Sequence, residues 1–217
     1  MSLCAVSLTR DEERHIARAL ASVAAVADTV LVVDSGSTDR IVEIAHAAGT
    51  AVFFNPWVNY ATQMNWGIAQ VPEGTVWIMR LDADEIVSEP LAAEIRDRLP
   101  ALPAETDGVY GSRRRTFMGG PVRLGGLFPI RILRLIRTGR GRCEDRWMDE
   151  HLIVCGPTAD FRGEIVNDNT KPLSWWIDKH NGYASRELVD LLNLEYGFIE
   201  LETVASLQDG RQAGLKR

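Results

Sequence analysis

An α/β fold is predicted for this 217-residue chain: a mostly parallel sheet flanked by helices, with a mixed-sheet second half and a C-terminal helix. Three observations predict it. Apolar runs alternate with helix-spaced segments four times in the first 81 residues. Those runs are continuous rather than alternating in polarity, as strands covered on both faces require. After residue 99 the rhythm changes to short strands punctuated by Gly119-Gly120 and Gly125-Gly126. With 46% hydrophobic residues the chain can bury a sizeable core, and disorder, collagen and a coiled-coil rod are excluded.

In order, Leu3–Leu8 is an apolar run, Asp11–Ala25 has helical spacing through Ile16, Leu20 and Val23, and Thr29–Val33 is a β-branched run ending at Asp34. A helix over 40–48, a strand at Ala51–Phe54, a helix over 60–69 and a strand at Thr75–Leu81 continue the pattern. A helix at Pro90–Leu99 and a Pro100–Pro103 turn follow, then strands at Gly108–Thr116 and Ile130–Ile136 and a helix at Leu173–Tyr196. No repeat or linker divides the chain, so one domain over 1–217 is expected. Ligands of such sheets bind beyond the carboxyl ends of the strands.

Charge and cysteine usage narrow the partners. Residues 113–146 hold ten arginines against Glu144 and Asp145, a local balance of +8 that leaves −14 for the rest of a chain of net charge −6. Such a run reads either as a solvated basic face or as a site for phosphorylated small molecules or anionic lipid head groups. No zinc-finger, RNP-type or basic-zipper pattern accompanies it, so nucleic acid is not an expected partner. Leu20–Val33 is too interrupted for a membrane helix and Met1–Thr9 lacks the features of a signal peptide, which predicts a cytoplasmic chain. Cys4, Cys143 and Cys155 lack CxxC spacing and are expected to be reduced structural thiols.

The most informative segment is 77–85, where an apolar strand runs into Asp82, Asp84 and Glu85. Residues two apart at a strand end point to one side, so Asp82 and Asp84 are expected to face one point. Clustered carboxylates need a neutralising cation, and Mg²⁺ or Mn²⁺ supplies it while substrate phosphates complete the cage. A second acidic strand end carries Asp34, followed by Ser35-Gly36-Ser37, where backbone can approach a ligand. His151, beside Asp149 and Glu150, could approach the metal, whereas His180, among Trp175, Trp176 and Tyr183, is expected to pack. Trp57, Tyr60 and Trp66 are left unassigned between sugar platform and core.

Six blocks together resemble the inverting family 2 glycosyltransferases of GT-A fold, especially the lipopolysaccharide-core and exopolysaccharide transferases. They are Thr9-Arg10-Asp11-Glu12-Glu13, where the family has T-x-N-E-E; Val33-Asp34-Ser35-Gly36-Ser37-Thr38-Asp39; Gln63-Met64-Asn65; Leu81-Asp82-Ala83-Asp84-Glu85; Trp147-Met148-Asp149-Glu150-His151; and Lys179-His180-Asn181-Gly182-Tyr183-Ala184. Two positions depart from the pattern: Asp11 replaces the usual Asn, and Ser35 replaces the second acid of D-D-G-S.

The resemblance implies that Thr9, Glu13 and Asp34 contact the nucleotide, that Gln63 and Asn65 line the donor pocket, that Asp84 binds Mg²⁺ or Mn²⁺, and that Asp82 contacts ribose or metal. Residues 1–99 then form the nucleotide-sugar half and 100–217 the acceptor half. The implied activity is inverting transfer of a hexosyl group from a nucleotide diphosphate, a UDP-sugar above all, to a saccharide or lipid-linked acceptor. Polysaccharide or lipopolysaccharide biosynthesis at the cytoplasmic face of an anionic membrane is the implied setting. Similar family members continue past Arg217 into a basic, apolar tail. The general base is expected across the sugar from the metal, at Glu150 with Asp149 second, while Glu144 and Asp145 are expected to pair with Arg142 and Arg146. Two alternatives are a sugar-phosphate nucleotidyltransferase, which would carry G-x-G-T-R-L after the first strand, and a non-catalytic nucleotide-sugar-binding module.

Overall fold

The computed structural model describes residues 2–124, 128–145 and 150–197. The chain opens with β1 (Leu3–Thr9), α1 (Ile16–Val23), β2 (Thr29–Asp34), α2 (Ile41–Ala47), β3 (Ala51–Phe54), α3 (Tyr60–Ala69) and β4 (Trp77–Arg80). These strands are parallel in the order β3-β2-β1-β4. Burial on both faces explains their apolar runs. On β1, Leu3 and Ala5 enter the core beneath α1, whereas Cys4 and Val6 enter a second core beneath α3.

Helix α1 starts five residues later than the periodicity predicts, at Ile16. Asp11 has φ 52°, a left-handed conformation incompatible with a helical turn, and its carboxylate accepts hydrogen bonds from Thr38 N (2.7 Å) and Oγ1 (3.2 Å). Asp tolerates this conformation nearly as well as the Asn it replaces in the family pattern.

After β4 come β5 (Glu85–Val87), α4 (Glu89–Arg98), a 3₁₀ turn (Leu99–Ala101), β6 (Gly108–Phe117), β7 (Gly120–Pro121), β8 (Ile130–Arg137), β9 (Gly141–Cys143), β10 (Leu152–Val154), β11 (Thr158–Asn167) and α5 (Leu173–Tyr196). The main sheet runs β3-β2-β1-β4-β8-β6-β11-β5, with β7 beside β6, and β9 pairs with β10 separately. Strand β8 is antiparallel to both β4 and β6, β11 is parallel to β6, and β5 is antiparallel to β11. Strands β4 and β5 are five peptide steps apart, a reach of at most about 17 Å. Four strand spacings in a flat sheet take about 19 Å. The sheet therefore curls, returning β5 and the end of β11 towards the end of β4.

Strands β5, β7, β9, β10 and β11 go beyond the expected elements. In β11, Phe161, Gly163 and Ile165 alternate towards the core, but the glycine and the charged residues around it disguise a strand. The pairing with β6 shifts register between Asp160 and Glu164. Glu94 of α4 caps the irregularity, accepting from Arg162 N and Gly163 N, both at 2.7 Å. A Cβ on Gly163 would lie 2.3 Å from Leu91 Cα and 2.4 Å from Leu91 N, backbone that cannot move alone. Gly163→Ala is accordingly expected to cost at least about 1–3 kcal/mol in urea unfolding. An unchanged midpoint would show that α4 can lift from β11.

Candidate active site

The strand ends come first. Thr9 and Asp34 are register partners on β1 and β2, both buried, and Thr9 Oγ1 donates to Asp34 Oδ1 at 3.3 Å. Asp34 Oδ2 accepts from Gly36 N and Ser37 N, each at 2.9 Å, and Oδ1 also accepts from the Ser37 hydroxyl. The carboxylate's roughly four acceptor positions are thus used inside the protein, and Asp34 shapes the Ser35–Ser37 turn. Glu13 braces the next loop: its N–H donates to Asp39 (2.8 Å) and its carboxylate accepts from Arg40 N (3.1 Å).

Gln63 is fully buried. Its Nε2 donates to Ser35 Oγ (3.0 Å) and Asn55 O (2.9 Å), and its Oε1 accepts from Asn55 Nδ2 (2.7 Å), so it fastens the β2 and β3 ends together. Asn65 bonds both backbone groups of Cys143, at 2.8 and 3.0 Å, and docks β9 on α3. Both residues sit behind the strand-end loops and fix their positions.

At the end of β4 the two aspartates bond separate sets of partners. Strand β4 stops at Arg80, so Asp82 and Asp84 stand in a turn and the pleat does not align them. Asp82 accepts from Tyr60 Oη at 2.6 Å and Arg80 Nε at 3.4 Å, and lies 3.7 Å from Arg134 Nη1. Arg80 also stacks on the Tyr60 ring, at 4.2 Å. Glu85, fully buried, pairs with Arg134 Nη2 at 2.5 Å and Arg113 Nε at 3.1 Å, and accepts from Asp82 N at 3.1 Å. Burial alone would raise the Asp82 carboxyl, but Arg80, Arg134 and Arg113 outweigh it and hold it well below 3.8, its ordinary value. For Glu85 burial wins, aided by the charge of Asp82, and its pKa is raised.

Asp84 faces the second half of the chain. Its Oδ1 accepts from Asn167 Nδ2 (2.9 Å) and its Oδ2 from Asn169 Nδ2 (3.1 Å), while its carbonyl accepts from Asp168 N (2.9 Å). Arg18 and Thr116 grip Asp168 in turn. His15, fully buried, accepts from Thr170 N at 3.0 Å through Nε2, which leaves Nδ1 to donate to Glu12 at 2.5 Å. Lys171 Nζ reaches the same carboxylate at 2.7 Å. Burial would raise Glu12, but the bonds from His15 and Lys171 win and lower its pKa. Residues 168–171 are therefore clasped to the loop after β1. Beside them opens a cleft of about 320 Å³, lined by Phe117, Met118, Asp168, Asn169, Lys171 and Trp176.

A hard divalent cation fits Asp84 better than Asp82. The Asp84 carboxylate meets two carboxamides, an oxygen-bearing set of the kind such ions take. The Asp82 oxygens are engaged by a phenol and guanidinium groups whose charge opposes a cation. These bonds do not describe one cation shared by both aspartates. Among the described residues no group of three or more His, Cys, Asp or Glu side chains is gathered as for a metal.

Glu150 adjoins the cluster through its carbonyl, which accepts from Arg80 Nη1 at 2.9 Å. Glu144 bonds His151, accepting from its backbone N and contacting Nδ1, both at 3.0 Å. The antiparallel β9–β10 pair sets Glu144 opposite His151, while Arg146, one of the two arginines expected beside Glu144, lies outside the described residues. Asp149 lies outside the described residues, as do Arg146, Trp147 and Met148.

The arginine run is largely spent within the fold. Arg113 and Arg134 pair with Glu85, Arg114 with Glu164, Arg131 with Asp160 and Arg140 with Asp107, while Arg137 bonds the carbonyls of Thr106 and Pro103. Burial pushes the thiols of Cys4 and Cys143 up to about 11, as structural cysteines require. No helix of the described residues is long and apolar enough to cross a membrane. Trp66 meets Phe53 edge to face at 6.0 Å against the core beneath α3, and His180 stacks on Trp176 at 3.7 Å within α5, a helix that buries no residue.

This architecture is the GT-A fold. It superposes on glucosyl-3-phosphoglycerate synthase from Mycobacterium tuberculosis, in complex with Mn²⁺, UDP and glucosyl-3-phosphoglycerate, with a TM-score of 0.56 and 14% identity over 92% of this chain and 81% of that one. Mannosyl-3-phosphoglycerate synthase from Rubrobacter xylanophilus gives the same score and identity over 92% and 76%. Residues 4–169 match Glycosyl transferase family 2, and the chain belongs to that family. It is 40% identical over 201 residues to an uncharacterized glycosyltransferase of Rickettsia typhi and 39% identical to one of Rickettsia prowazekii, covering 85% of this chain in each case. It spans 66% of the length of either relative.

Proposed function

We propose that the chain is an inverting, divalent-metal-dependent glycosyltransferase that moves a hexosyl group from a UDP-sugar to a saccharide or lipid-linked acceptor, within lipopolysaccharide or exopolysaccharide assembly. One observation carries the reading: the ends of β1, β2 and β4, with Thr9, Asp34 and Asp84, form one edge that the curled sheet brings against Asn167–Lys171, with Glu150 tied to the same place by Arg80. Donor binding belongs to the loops organised by Thr9, Glu13, Asp34, Gln63 and Asn65. Asp84 would hold Mg²⁺ or Mn²⁺, which when bound neutralises charge on the departing diphosphate. Glu150 would take the proton of the acceptor hydroxyl. The cleft beside Asn169 suits a saccharide, with the Trp176 ring as an apolar platform and Lys171 and Asp168 as polar groups. Mn²⁺ and UDP in the mycobacterial neighbour are consistent with this metal and nucleotide. Most of the arginines that suggested a peripheral membrane location are engaged by carboxylates or carbonyls of the chain itself.

A thermal-shift series with UDP-, GDP- and dTDP-sugars, with and without Mn²⁺, tests the reading. UDP-sugar with Mn²⁺ is expected to raise Tm by mass action, about 2.7 kcal/mol at a hundredfold excess over Kd, and EDTA or Asp84→Ala to abolish the shift. Equal shifts with and without metal would overturn the metal dependence. Hydrolysis of the donor in the absence of acceptor would separate the enzyme from a mere binding module.

A further inference from the structure

We propose that Asn167 is a direct oxygen ligand of the divalent cation at Asp84, and that Asn169 orients Asp84 without touching the ion; the proposal rests on the metal dependence argued above. Both carboxamides approach Asp84, but their surroundings differ. The Asn169 Oδ1 accepts a hydrogen bond from Lys171 N at 3.0 Å, which fixes its amide with nitrogen towards the carboxylate. Turning it over would cost that bond. The Asn167 Oδ1 accepts no hydrogen bond from a described residue, and its Nδ2 makes the contact to Asp84 Oδ1. Carboxamide oxygen and nitrogen exchange places by a half-turn of the terminal torsion, so the group that donates to a bare carboxylate can present its oxygen to a cation. Hard divalent ions take such carbonyl oxygens readily.

The backbone holds Asn167 for this task. It ends β11, where its register partners are Arg115 on β6 and Glu85 on β5, and its carbonyl accepts from Thr116 Oγ1 at 3.2 Å. The next residue's N–H is bonded to the Asp84 carbonyl. Two backbone ties thus fix the spacing between the carboxylate and this side chain, and only the amide torsion needs to change. Substrate phosphates and water would fill the remaining positions.

Binding of Mn²⁺ to the full chain, followed by titration calorimetry and by the electron paramagnetic resonance signal of free Mn²⁺, with and without UDP, tests this. Asn167→Ala is expected to weaken Mn²⁺ binding by more than the roughly 10- to 100-fold that losing a residue which only orients a ligand costs, and Asn167→Asp, which keeps an oxygen at the site and adds charge, to bind Mn²⁺ at least as tightly as the wild type. Asn169→Ala should weaken binding less than Asn167→Ala. Thermal melts of each apo variant report whether it is folded. If Asn167→Asp weakens Mn²⁺ as much as Asn167→Ala, the side chain serves only as a donor to Asp84 and the proposal falls. If Asp84→Ala abolishes Mn²⁺ binding while both Asn167 variants leave it unchanged, the inference fails and the metal-dependent reading stands. If the wild type shows no Mn²⁺ binding even with UDP, both fail.

Discussion

Glu150→Gln is expected to leave donor affinity unchanged and to slow turnover about 10²- to 10⁴-fold, the usual contribution of a general base. The substitution keeps the shape of the side chain and leaves the backbone carbonyl on Arg80 in place. It takes away the basicity that the proposed attack of the acceptor hydroxyl on the anomeric carbon requires. Donor titration alongside single-turnover kinetics would separate the two quantities. Wild-type turnover in Glu150→Gln, with turnover lost in Asp149→Asn, would move the base by one residue.

Glu85→Ala is expected to cost about 3–5 kcal/mol of stability, read from urea unfolding, because it breaks a fully buried ion cluster on one side. Arg80, Arg113 and Arg134 would then lose one of the carboxylates that neutralise them, and Arg134, only 2% exposed, has no route to water. Its Nε and Nη1 already lack hydrogen-bond partners. A loss of about 1 kcal/mol or less would mean that the cluster behaves like an exposed pair. The two acids have opposite pH dependences. Asp82, with its pKa depressed, contributes stability that is present above 3.8 and lost as pH falls towards its folded pKa. Glu85, with its pKa raised, contributes stability that is full below 4.5 and lost as pH rises through its folded value.

The parallel half was legible because its strands are buried on both faces and so are written as unbroken apolar runs. Strand β11 was not, since Gly163 answers to a close helix contact, the N–H groups of Arg162 and Gly163 to Glu94 of α4, and the Glu164 charge to Arg114 of β6, all far away in sequence. The acids at the strand ends could be picked out from position alone. Their partners could not: Asn167 meets Asp84 across 83 residues and Arg134 meets Glu85 across 49. One signal was available. Arg80 and Arg134 interrupt otherwise apolar strands, and a charge at such a position demands a buried counter-charge.

The placement of β5 has a consequence for how the chain can fold. Although it follows β4 directly, among the described residues it pairs with β11 alone, and β8 enters the sheet between β4 and β6. Glu85 therefore meets Arg113 and Arg134 only after chain segments from beyond residue 105 have been threaded into the sheet. Loop closure over such separations is paid before the contacts form, which makes the assembly slow. The parallel half and the mixed half of the sheet are in this sense one object, and neither acquires its final geometry ahead of the other.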